Sequence, residues 1–206
     1  MITLYSMPSS GNSYKVRLLL AQLGISYRHI ASEYAGDDTL TRTEGFRAKN
    51  PTGKVPLVEF EDGSHLSESN AILHYFGEGT ALVPQDQLTR ARMYQWMFFE
   101  QNFHESSVAV GCAIYRYPDR PMDRSPERLA ALLEAGHSAL DVMETQLLRT
   151  PFLTGHAYTL ADICLYAYTH SAEGGGFDLQ SRPGIMAWLE RVAAQEGHVT
   201  LDWLPD

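Results

Sequence analysis

The 206-residue chain predicts an α/β domain built on a mixed four-stranded sheet, followed by an all-helical domain. Three observations predict this. Short β-type runs alternate with helical periodicity over the first 80 residues. A tight hairpin around Asp62-Gly63 forces antiparallel pairing into what is otherwise a parallel crossover pattern. Beyond residue 85 only long amphipathic segments remain. The expected division is therefore 1–78 for the first domain, a Gly- and Pro-bearing linker at 79–85, and 86–206 for the second.

Each element has a local cause. Ile2 to Tyr5 is a compact β run, and Pro8-Ser9-Ser10-Gly11-Asn12 is a loop of turn formers. From Ser13, the apolar Val16, Leu19, Leu20 and Leu23 recur at helical spacing until Gly24 offers a stop. A second strand follows at Tyr27 to Ile30, then a polar, weakly helical stretch over 32–50. Leu57 to Phe60 and His65-Leu66 make the hairpin, and Ile72, Leu73 and Phe76 mark the next helix. In the second half a long helix is expected near 86–110. Another should start at Ser125-Pro126-Glu127 and reach Leu148, with the hydroxyl as cap and proline in the first turn. A third opens on the capping sequence Thr159-Leu160-Ala161-Asp162, and a fourth covers 183–195.

Composition narrows the function classes. A net charge of −9 argues against a general nucleic-acid surface, although all three lysines (Lys15, Lys49, Lys54) fall within the first 54 residues. No apolar run approaches the roughly 18 residues that span a bilayer, and the N-terminus does not read as a signal peptide, so the expectation is cytoplasmic. Cys112 and Cys164 stand far apart in apolar sequence and read as buried, reduced packing residues. No two of the eight histidines have metal-ligand spacing, and no metal is expected. Glu173-Gly174-Gly175-Gly176-Phe177 reads as a flexible turn.

The most informative stretch is Asn50-Pro51-Thr52-Gly53-Lys54-Val55-Pro56, ahead of the strand at Leu57. A proline cannot donate to a sheet ladder, so it suits a strand start, and a cis Val55-Pro56 bond would turn the Val55 backbone outward to pair with an extended peptide ligand. One hairpin later, Ser67-Glu68-Ser69-Asn70 opens a helix whose amides and hydroxyls suit an anion.

Four segments, in order, resemble the cytosolic glutathione transferase superfamily over essentially the whole chain. They are Leu4 to Arg17, Asn50 to Pro56, Ser67 to Ile72, and Leu160-Ala161-Asp162-Ile163. The features are bacterial-like and serine-type, as in the phi, theta, zeta and nu classes. The resemblance implies a thioredoxin-like N-terminal domain binding glutathione as co-substrate, a helical domain shaping a pocket for a small apolar electrophile, and a homodimer. It also implies residue roles. Ser10 is the expected donor to the glutathione sulfur, with Ser9 and Asn12 as the competing contacts. Lys54, Val55, Pro56, Glu68 and Ser69 would hold the rest of the tripeptide. Met7, Tyr14, Phe103, His104 and Tyr115 are the candidates for the second pocket. Ser10 and Ser13 stand where a Cys-x-x-Cys pair would, which excludes dithiol exchange. The expected activity is conjugation. The alternatives are glutathione-dependent disulfide reduction or peroxidation, and a non-catalytic binding module on the same fold.

Overall fold

A computed structural model describes residues 1–34, 36 and 39–205. The chain divides into two compact units, Met1–Glu78 with Gln195–Asp206, and Gly79–Ala194. In the first unit β1 (Thr3–Ser6), α1 (Gly11–Gln22), β2 (Arg28–Ala31), α2 (Glu44–Lys49), β3 (Leu57–Glu59), β4 (His65–Ser67) and α3 (Ser69–Gly77) follow one another. The sheet order is β2-β1-β3-β4, with β1 and β2 parallel and the other pairs antiparallel. The mixed four-stranded sheet expected from the sequence is the one observed.

β1 is a central strand, and its two faces differ. Leu4 packs with Val16, Leu20, Val58 and Ile72, which joins α1 and α3 to one side of the sheet. Tyr5 faces the other way onto Phe46 of α2 and Leu57. Burial of such side chains, at about 25 cal/mol per Å² of apolar surface, is the main force holding the helices to the sheet. β3 is also interior, so Pro56 stands just ahead of its first paired residue, Leu57, where its missing N–H leaves the ladder intact. Among the described residues of the polar stretch over 32–50 are a 3₁₀ turn, Leu40–Arg42, and α2, capped by the Thr43 hydroxyl.

The segment after residue 194 corrects the expected division. It joins the sheet unit rather than the helices, because α1 supplies its partners: Tyr14 Oη donates to Val199 O at 2.7 Å, and Arg17 Nη2 to Leu201 O at 2.7 Å. Gly197, at φ +69°, lies so close to α1 that a Cβ there would stand 2.8 Å from Gln22 Cα. Residues 79–85 are likewise no free linker. Val83 is buried, Leu82 O accepts from Leu160 N–H, and Pro84 O accepts from Arg90, all within the second unit.

The second unit is helical. α4 (Gln87–Phe99) runs without a break into a π-helical stretch, Glu100–Ala109, and on into α5 (Val110–Arg116). α6 (Pro126–Leu147) begins at its Ser125 cap as expected, and α7 (Leu160–Thr169) and α8 (Pro183–Ala193) complete the unit. Asp162 is fully buried and accepts from Thr159 N–H, Leu153 N–H and Trp188 Nε1 at 2.9 to 3.0 Å, and from the Thr159 hydroxyl at 3.2 Å. Residues 173–177 are a packing element rather than a flexible turn. After a 3₁₀ turn, Ala172–Gly175, the buried Phe177 ring seats against Gly111, Gly136 and Gly175. Cys112 and Cys164 are both buried and unpaired to each other, as expected. Among the described residues no helix is long and apolar enough to cross a membrane.

Candidate functional site: two helix starts joined by Asn12 and Ser69

β1 delivers the chain into loop 7–10, which folds back over the start of α1. Ser10 N–H donates to Met7 O at 3.0 Å, Met7 N–H donates to Ser13 Oγ at 3.0 Å, and Ser10 Oγ accepts from Ser13 N–H at 3.4 Å. Ser10 is thus the N-cap of α1, with extended backbone at φ −86°, ψ 130°. Capping uses the hydroxyl oxygen as acceptor and leaves its proton to be donated elsewhere. Ser9 differs. Its N–H and its hydroxyl both donate to the Glu33 carboxylate, at 2.9 and 3.1 Å. A hydroxyl whose single proton goes to a carboxylate has none for a sulfur.

Behind the loop lies Arg17, 0 % exposed. It donates to Ser6 Oγ, Met7 O and Pro8 O at 3.2, 3.3 and 2.8 Å. Burial pulls the Arg17 guanidinium below its ordinary value, and the nearby Tyr27, Tyr14 and Glu33 pull it back up. The same burial, with Arg17 near, lowers His29, whose Nε2 is 2.7 Å from Ser6 Oγ.

The first turn of α1 meets the first turn of α3. Ser69 Oγ donates to Asn12 Oδ1 at 2.9 Å, and the buried Lys15 ammonium donates to the same oxygen at 2.7 Å and to Ser69 Oγ at 3.5 Å. Two helix N-termini, each carrying partial positive charge, therefore face one region. Glu68, just before α3, has φ +69° and ψ 113°, a conformation that non-glycine residues rarely adopt, and its side chain is exposed. The third segment is braced from within. Asn50, buried, donates from Nδ2 to Lys54 O at 2.8 Å and accepts from Thr52 through Oδ1. Lys54 is exposed, and the Val55-Pro56 peptide is cis.

Of the residues expected from sequence, Ser9, Ser10, Asn12 and Ser69 sit on these two converging helix starts. Sequence reasoning assigned no role to Lys15, Arg17, Glu33 or the Asn50 side chain. For two of them a signal existed: Lys15 and Arg17 are cations on a helix whose neighbouring positions are apolar, and Lys15 is three residues from Asn12, on the same face.

The second-pocket candidates belong to both units. Met7 and Tyr14 are buried in the first unit, Tyr14 with its hydroxyl on Val199 O. In the second unit Phe103 is 63 % exposed and lines an open groove of about 590 Å³ with Tyr94, Phe98 and Phe99. His104, the next residue, is buried with Nε2 2.9 Å from Thr169 Oγ1, and Tyr115 is exposed. No group of three or more His, Cys, Asp or Glu among the described residues could hold a metal ion.

The profile of the glutathione S-transferase N-terminal domain matches residues 9–78, and that of the C-terminal domain matches residues 126–191. A solved glutathione S-transferase from Pseudomonas fluorescens is 47 % identical and superposes with a TM-score of 0.92, over 97 % of this chain and 98 % of that one. The chain belongs to the glutathione S-transferase family. A curated relative, the glutathione S-transferase-like protein LUC7 of Fusarium, is 31 % identical over 94 % of this chain and 89 % of its own length. The disulfide-bond oxidoreductase YfcG of Escherichia coli is 28 % identical over 95 % of this chain and 91 % of its own. A glutathione transferase homologue from Sulfitobacter, solved with bound glutathione, is 25 % identical with a TM-score of 0.79, covering 96 % of this chain and 94 % of that one. Members of this fold thus bind glutathione, and the thioredoxin-like first domain and helical second domain are those of the family.

Proposed function

We propose that the protein is a serine-type glutathione transferase in which Ser10 holds glutathione as thiolate for attack on an apolar electrophile. The observation that carries this reading is the Ser69–Asn12 hydrogen bond, which brings the start of α3 to the start of α1, beside the Ser10 cap. The division of labour between the two serines supports Ser10 over Ser9, whose proton goes to Glu33. In this reading Val55 pairs its backbone with the cysteinyl part of glutathione. Glu68 and Ser69 take the γ-glutamyl end, and Lys54 supplies a point charge to a carboxylate.

The magnitudes are sufficient. Lowering a thiol by about two units from about 8.5 requires about 2.7 kcal/mol of preferential anion stabilisation. A hydrogen bond to a charged group contributes about 1.5 to 3 kcal/mol, and a helix N-terminus about 0.3 to 1 more. A site for a small apolar electrophile, with the exposed Phe103 and Tyr115 as its candidates in the helical unit, and the homodimer belong to the same proposal, as does a cytoplasmic location.

The test is retention on immobilised glutathione, followed by parallel assays with an activated aryl halide and a mixed disulfide. Ser10→Ala should lower turnover of the halide by about 10- to 100-fold, the loss of about 1.5 to 3 kcal/mol, while Ser9→Ala keeps most of it. Full activity in Ser10→Ala sinks the assignment. The YfcG relative supports a second reading, disulfide reduction, and faster turnover of the mixed disulfide than of the halide would favour it. Neither retention nor turnover would leave a binding module.

A further inference from the structure

We propose that Arg17 is a positioning residue of the thiolate site, and that through it the docking of segment 195–205 on α1 sets the geometry of loop 7–10. The thiolate role of the site rests on the function proposed above; the mechanical coupling does not.

The guanidinium is a rigid planar fork whose donors cannot be re-aimed one at a time. Its Nη2 donates to both Pro8 O, in the loop, and Leu201 O, in the segment, at 2.8 and 2.7 Å. Its Nη1 reaches Met7 O, which is also the acceptor of the Ser10 N–H. One buried group therefore ties the carbonyl that fixes Ser10 to the carbonyl that anchors the segment. Moving Leu201 away leaves a buried donor unsatisfied, and the plane must turn or admit water to satisfy it, taking Met7 O and Pro8 O with it.

The segment is held along one stripe of α1. Tyr14 grips Val199 O, Arg17 grips Leu201 O, and Gly197 lies against Gln22. A side chain at Gly197 would meet Gln22 Cα at 2.8 Å and Ala21 O at 3.1 Å, in a backbone conformation that L residues resist, so Gly197→Val lifts the segment without touching the loop. The charged and titratable groups around the fork are Tyr14, Tyr27, Glu33 and His29, with His198 Nε2 3.4 Å from Tyr14 Oη.

The experiment compares the native protein with Gly197→Val, Arg17→Lys and Arg17→Met by amide hydrogen exchange and by ultraviolet titration of the bound glutathione thiolate. In Gly197→Val, faster exchange at 195–205 verifies release of the segment. The proposal then requires faster exchange at the Ser9 and Ser10 amides and a bound thiol pKa raised by about half a unit to one unit. S-methylglutathione should bind within about twofold of native, since neither α3 nor Val55 is touched. Arg17→Lys keeps the charge but not the fork, and should reproduce the loop exchange even if Arg17→Met fails to fold. A released segment with native exchange at Ser9 and Ser10 overturns the coupling. If the native protein itself does not lower the thiol, the thiolate reading fails, and the exchange data still decide the coupling.

Discussion

The two units place their unusual residues to different ends. In the sheet unit the residues that break ordinary rules are the buried cations Lys15 and Arg17 and the positive-φ Glu68, and all three bear on the converging starts of α1 and α3. In the helical unit they include the fully buried carboxylates of Glu100 and Asp162 and the glycine slot around Phe177, and Asp162 and the slot hold packed helices together. Arg17 joins two irregular segments; Asp162 joins the cap of α7 to Leu153 and to Trp188 of α8. Buried charge in the first unit shapes a surface, whereas in the second it completes a core.

Four substitutions test that contrast, in descending order of expected effect. Asp162→Ala leaves four donors around an empty acceptor position and should destabilise the protein by about 4 kcal/mol, read as a fall in the urea midpoint. Its pH signature is distinctive. Burial pushes the Asp162 carboxyl up to about 6, against the pull of its four donors. A carboxyl that binds its proton more tightly folded than unfolded makes stability fall as pH rises from about 4 to about 6, then level off. Asp162→Asn should flatten that part of the curve.

Gly136→Ala comes next. A helix-interior glycine normally gains up to about 1 kcal/mol on becoming alanine, but here the new methyl falls inside the Phe177 ring, so a net loss of about 1 to 3 kcal/mol is expected in thermal unfolding. A gain in stability would mean the slot is loose. Smallest is Glu68→Gly, where the contrast predicts opposite signs for fold and function. Relief of the positive φ should stabilise by about 1 kcal/mol, while glutathione affinity, measured calorimetrically, falls several-fold with the carboxylate. Stabilisation with unchanged affinity would remove Glu68 from the site.

Much of the fold was legible because its signals are local. The Ser125-Pro126 start, the capping sequence at Thr159–Asp162 and the Asp62-Gly63 hairpin each specify their element within a few residues. Ser10, Asn12 and Ser69 are singled out by the family resemblance rather than by a local signal, and the structure sets them at two helix starts that meet. What escaped depends on contacts distant in sequence. The allegiance of 195–205 is decided by Tyr14 and Arg17 more than 180 residues earlier. The packing role of 173–177 is decided by glycines on two other helices, and the π-helical register of 100–109 has no local signature. Arg17 escaped because a cation on a helix usually faces water, and only the loop folded over it makes it a buried clamp.

The return of the chain to α1 makes the first unit discontinuous. A fragment ending at residue 78 would carry the sheet and both helix starts, yet it would lack the carbonyls of Val199 and Leu201 that Tyr14 and Arg17 bind. The unit cannot be transplanted as a contiguous cassette. Exchange between relatives would have to move two separated stretches of gene together, so the helical unit behaves as an insertion carried inside its neighbour.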